Sequence, residues 1–166
     1  MLFTGFLQWL HDTSFSVLLR ESNWGEPIIE SIHVLTLTLF LGFAFLLDLR
    51  LLGVCLRRRR MSEVIGQLNP WLGAGFAVMI ATGVLLFIAD PVAFYGDTFF
   101  RVKMLLLALA IVNIVVFNRT VGRNVAAWDA NLQTPAGAKV AAILSLVLWV
   151  AIIAAGRAIA YTLPPP

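Results

Sequence analysis

The sequence predicts an all-α integral membrane protein: a four-helix bundle preceded by a short amphipathic interfacial helix. Three observations carry that expectation. The 166 residues are 60% hydrophobic and only 13% charged, whereas a soluble domain averages about 25% charged. Several apolar runs approach the roughly 20 residues a helix needs to cross a bilayer core. Seven of the twelve Lys and Arg residues gather in two connecting segments. Ten-residue alternating segments of a membrane barrel are absent, and helices satisfy their own backbone in lipid. Residues 1–166 therefore read as one membrane domain.

The first element, residues 1–23, reads as the interfacial helix. Leu2, Phe3, Phe6, Leu7 and Leu10 recur at helical spacing with Trp9 beside them, and Asp12 to Ser14 form a break or a new N-cap. The stretch has no basic n-region and QWLHDTS interrupts its apolar part, so a signal peptide is not expected. The first span covers residues 27–54, with Pro27 in the first helical turn, where its missing N–H costs little. The second covers residues 70–89 and stops at ADP. The third covers residues 99–118, and the fourth covers residues 139–161, before LPPP.

Orientation follows from Lys and Arg. Arg57 to Arg60 follow span one; Arg119, Arg123 and Lys139 lie between spans three and four. The positive-inside rule puts both segments in the cytoplasm, and both termini outside, periplasmic in a bacterial inner membrane. Trp24, Tyr95 and Tyr161 then belong to an outer aromatic belt, Trp71 and Trp128 to an inner one. RRRR is read as a contact to anionic lipid headgroups rather than to nucleic acid. Cys55 is the only cysteine, so no intramolecular disulfide exists.

Ionisable groups inside spans snorkel, pair or serve a site. Counting about 1.5 Å per residue, His33 lies roughly 9 Å below the outer end of its span, and Lys103 and Arg157 roughly 6 Å. Glu30 precedes His33 by three residues, on the same helix face. Three helices thus bring basic groups to one outer-leaflet depth, and His33, Lys103, Arg157 and Glu30 are the candidate cofactor site. Snorkelling accounts for Lys103 and Arg157 taken singly, though not for His33. At the other end Asp48 and Arg50, two apart, point to different sides of the helix and read as structural. Asn113 and Asn118 are candidate interhelical hydrogen-bond partners, and Gly42, Ala44, Gly73, Gly75 and Gly83 candidate close-packing positions.

Such a pocket suits haem b. His33 would be the metal ligand, Lys103 and Arg157 would face the propionates, and Glu30 would orient the imidazole. His11 and Met104 are the candidates for a sixth ligand, although Met104 follows Lys103 by one residue and points about 100° away. No span carries two histidines. Copper(I) prefers sulfur ligands, and here Cys55 lies at the opposite end. HExxH, paired-Cys, P-loop, GxGxxG and nucleophile-elbow patterns are all missing, so nothing points to flavin or nicotinamide chemistry. Proton-coupled transport would use span carboxylates, but no broken central helix pair is present.

ESIHVLTLTLFLGFAFLLDLRLLG, ATGVLLFIAD followed by FFRVKMLLLALAIVN, and SLVLWVAIIAAGRAIAY together resemble a family of small bacterial membrane proteins of unknown function, over most of residues 24–161. That resemblance implies a four-helix bundle and no assigned activity. More distantly, His on span one, TG on span two and Lys on span three are similar to the copper-resistance protein D membrane domain and to the haem-containing protoporphyrinogen oxidase membrane family. The second resemblance implies a haem-ligating histidine at His33 and an essential lysine at Lys103. Asn118 stands where a basic or His residue would be expected. Three expectations stay open: a haem-binding redox protein or redox-complex subunit, a non-catalytic structural or assembly subunit, and a copper-handling protein. Each implies the bilayer and a membrane protein partner or second copy around it.

Overall fold

A computed structural model of the chain describes residues 2–129 and 134–163. Among them every regular element is helical: α1 (Leu2–His11), α2 (Ser14–Glu21), α3 (Gly25–Leu51), α4 (Met61–Ala89), α5 (Pro91–Gly96), α6 (Thr98–Arg119), α7 (Val125–Asp129) and α8 (Ala136–Thr162), with a 3-10 turn at Gly122–Asn124. The side chains of Leu2 and Phe3 and the terminal prolines lie outside the described residues.

Four helices, α3, α4, α6 and α8, are long and apolar enough to cross a membrane. Helix α3 packs on α4 and α6 packs on α8, while α3 against α8 joins the two pairs. Lipid offers no hydrophobic drive to bring apolar helices together, so close packing has to do it. Phe40 of α3 meets Trp149 of α8 edge-on, with ring centroids 4.9 Å apart, and Met79, Ala110, Leu148 and Ile152 complete that core. Gly75 of α4 makes room for Phe40, because a Cβ there would sit 3.4 Å from the Phe40 Cβ.

The two ends differ in charge. The basic end carries Arg57 to Arg60; the other, here the acidic end, carries Glu26, Glu30, Asp90 and Asp97. At the basic end α3 finishes with two hydrogen bonds of a Schellman cap: Gly53 N–H donates to Arg50 O at 3.0 Å and Val54 N–H to Leu49 O at 2.9 Å. Gly53 has φ +73°, which glycine adopts at no steric cost. The first span therefore ends at Leu51, not at Val54. Helix α4 starts nine residues before the expected Pro70, which lies inside it. Asp129 sets that start: its carboxylate accepts from the Met61 N–H and, at 3.0 Å, from the Ser62 N–H, with Ser62 Oγ donating at 2.6 Å. Arg50, 2% exposed, donates through Nε and Nη2 to Arg59 O at 3.0 and 2.6 Å.

At the acidic end the N-terminal segment forms two helices, divided where Thr13 caps α2 by accepting from Ser16 N–H. They pack on the bundle end: Ser16 Oγ and Arg20 Nη1 both donate to Ala89 O, the last carbonyl of α4, at 3.2 and 3.1 Å. Asp90 then caps α5 and Asp97 caps α6.

Candidate functional site

Apolar residues all around α3 leave the direction of His33 to its neighbours. The ring is half-buried in the α3–α4 seam, where Gly83 gives it room: a Cβ there would meet His33 Cε1 at 3.4 Å. His33 Nδ1 lies 2.8 Å from Thr82 Oγ1. Thr82 in turn donates to Val78 O at 2.8 Å, one turn back in its own helix. A hydroxyl has one hydrogen. With that hydrogen on Val78 O, Thr82 is the acceptor toward the ring, so we assign the Nδ1–H tautomer to His33. The Nε2 lone pair is then left for a metal or a proton.

Lys103 reaches the same level from α6. Thr162 Oγ1 donates to Asp97 Oδ2 at 2.6 Å, which pins residue 162 of α8 beside residue 97 of α6. Six residues inward along each antiparallel helix, Lys103 stands opposite Gly156. A Cβ on Gly156 would meet Lys103 Nζ, Cε and Cδ at 3.5, 3.8 and 3.9 Å. The lysine stem therefore lies across α8 at the depth of its own backbone and does not run toward the interface as a snorkelling lysine would. Its ammonium acts electrostatically on the His33 ring. It has no hydrogen-bond acceptor among the described residues, a costly state for an ammonium in a membrane interior. Toward the acidic end, Phe100, three residues before Lys103, stacks on Phe87 with centroids 5.4 Å apart, and Phe94 tilts against it.

The other two expected residues stand elsewhere. Arg157, next to Gly156, is exposed: its Nη2 donates to Tyr161 Oη at 3.1 Å and its guanidinium lies 4.9 Å from that ring's centre. Glu30 is exposed and interacts electrostatically with Glu26, not with the imidazole. The side-chain partner of the imidazole is Thr82 and not the expected Glu30. Among the candidate sixth ligands, His11 is engaged at the acidic end, with Nδ1 3.2 Å from Arg20 Nη1 and 3.5 Å from Asp90 Oδ1; Met104 is exposed. Among the described residues no group of three His, Cys, Asp or Glu side chains could hold a bare metal ion.

Deeper toward the basic end, Asp48 is 6% exposed and interacts with Ser145 of α8, but its Oδ2 has no partner among the described residues. Arg50 does not pair with it: its Nε and Nη2 donate to Arg59 O, and its charge acts on Asp129. Asn113 Nδ2 donates to Ala141 O at 3.0 Å, an interhelical bond expected from the sequence.

The sequence profile of a family of unknown function, DUF6644, matches residues 6–162. No curated protein matches the chain, and no solved structure does.

Proposed function

We propose a function from the chain's own geometry, because it belongs to that family of unknown function and inherits no activity from it. The reading is a haem b-binding redox protein, or the haem-carrying subunit of a membrane redox complex, in the bacterial inner membrane with both termini periplasmic. One observation carries it: a histidine whose Nδ1 lies 2.8 Å from Thr82 Oγ1, near an ammonium that has no acceptor among the described residues. A metal-ligating histidine commonly fixes its tautomer by donating its other N–H to a neighbour. An unpaired ammonium at the same level suits a propionate. Bound haem would supply one-electron chemistry. His33 would hold the iron through Nε2, Lys103 would neutralise a carboxylate, and the Phe87–Phe100 stack would limit access of water from the acidic end. Arg157 and Glu30 drop out of the ligand set, and electrons would come from or go to a partner protein.

The test is the visible spectrum of protein purified in mild detergent, oxidised and reduced. A Soret band is expected, and His33→Ala should lose it while the far-UV helix signal stays. A colourless preparation from cells that make haem overturns the reading. A second reading, a non-catalytic structural or assembly subunit, draws on the positions of Arg157 and Glu30, since only two of four expected groups converge. Crosslinking that returns a stable membrane partner from colourless protein would favour it; copper in the same sample would favour metal passage instead.

A further inference from the structure

A separate feature lies at the basic end. Between the end of α3 and the first turns of α4 is an open crevice of about 170 Å³. Leu46, Leu56, Val64 and Leu68 give it apolar walls, and Arg59, Glu63 and Gln67 are its polar lining. Leu46 lies five residues before the end of α3 and Leu68 seven residues into α4, so the apolar walls extend about 8–10 Å into the bundle. Arg59 belongs to the connecting loop and Glu63 to the first turn of α4. The crevice is thus charged at its mouth and oily at its depth, the polarity order of a phospholipid.

Its mouth is held in place. The Arg59 carbonyl is fixed by two donors from buried Arg50. Leu56, which lines the crevice, is held at φ +48°, a left-handed conformation that L side chains rarely adopt. The two charges at the mouth are not spent on each other: neither the Arg59 guanidinium nor the Glu63 carboxylate has a partner among the described residues. Glu63 is not needed to cap α4 either, because Asp129 already accepts from the Met61 and Ser62 N–H groups.

Exposed Arg59 and Glu63 set a cation and an anion over one apolar crevice, which complements a ligand that carries both charges. We propose that the crevice binds a zwitterionic phospholipid with a phosphoethanolamine headgroup. The phosphate meets Arg59, the primary ammonium donates to Glu63 and to the Gln67 carbonyl oxygen, and the first methylenes of an acyl chain lie over Leu56, Leu46 and Leu68. A phosphoglycerol headgroup has no cation for Glu63 and is repelled by it. A phosphocholine headgroup has no N–H to donate. This site is independent of His33 and Lys103 and stands whether or not haem is bound.

Native mass spectrometry of the full chain from micelles doped equally with phosphatidylethanolamine and phosphatidylglycerol of the same acyl chains tests it. One tightly held phosphatidylethanolamine per chain is expected, favoured roughly two- to fivefold, the range of an exposed ion pair. Glu63→Gln should abolish the preference, and Arg59→Ala should weaken retention of both lipids. Both positions are exposed, and an unchanged thermal unfolding curve confirms the variants fold. Equal or better retention of phosphatidylglycerol by the natural chain, which diffuse attraction to Arg57 to Arg60 would give, overturns the proposal. So does a preference that survives Glu63→Gln, or retention that Arg59→Ala leaves unchanged.

Discussion

Thr82 decides what His33 can do. With its one hydrogen assigned to the Val78 carbonyl of its own helix, the hydroxyl accepts from the imidazole Nδ1–H. Thr82→Val keeps the volume and removes that acceptor. If His33 holds haem, Thr82→Val should retain haem less tightly, by about tenfold or more, the range for loss of a ligand-orienting partner. Titration of the purified protein with haem, read at the Soret maximum, measures it; unchanged affinity would leave Thr82 a packing residue only. Thr82 was not legible in the sequence, although ATG sits in span two. Residue counting gives depth along a helix but not rotation about it, and these helices are apolar nearly all round. The common depth of His33 and Lys103 was readable; that they face each other depends on rotation and was not. The inclusion of Arg157 needed rotation: Gly156 faces Lys103, so the next residue turns about 100° away, toward Tyr161.

At the scale of elements, the existence of the four spans was legible, because an apolar run of that length has few other uses. Their ends were less so. Pro70 reads as a helix start, yet α4 begins at Met61 because Asp129, distant in sequence, caps it there. Local signals worked where the cap is local, as at Thr13. Asp97 joins two elements, capping α6 through Phe100 N–H at 2.7 Å and tethering α8 through Thr162. Slight desolvation works to raise the pKa of its carboxyl, but hydrogen bonds from Thr162 and from the Phe100 and Phe99 backbone, with the Arg101 charge, hold it below its ordinary value of 3.8. The unfolded chain therefore binds a proton at higher pH than the folded one does. The stabilisation is complete above the ordinary carboxylate range and is lost as pH falls below about 4 through the lower folded value. Asp97→Ala should cost about 1 kcal/mol at pH 7, as an N-cap loss does. The gap between variant and natural chain should close in acid. Thermal unfolding in detergent at pH 7 and pH 3 checks it; a gap that widens in acid would contradict the assignment.

The whole molecule has a direction, and its charges set it. The arginines following α3, with Arg119 at the end of α6 and Arg123 after it, emerge at one end, while Glu26, Glu30, Asp90 and Asp97 collect at the other. Such short basic connections stay on the cytoplasmic side during insertion. This asymmetry was fully legible in the sequence. What the fold adds is that the N-terminal helices are docked on the acidic end, with Ser16 and Arg20 holding Ala89 O, so they must share its side of the membrane. In the proposed orientation the His33–Lys103 site lies near the outer leaflet and the Arg59–Glu63 crevice at the inner one, within reach of different partners and different lipid pools. It can be measured with a membrane-impermeant maleimide in a Cys55→Ser background, which removes the only native thiol. Glu21 and Arg58 are exposed and sit at opposite ends. Glu21→Cys should react once the outer membrane is permeabilised and the inner one is intact. Arg58→Cys should react only after the inner membrane is opened. The reverse pattern would invert the protein and move the histidine site to the cytoplasmic leaflet. Labelling of both positions behind an intact inner membrane would mean that the four helices do not all cross.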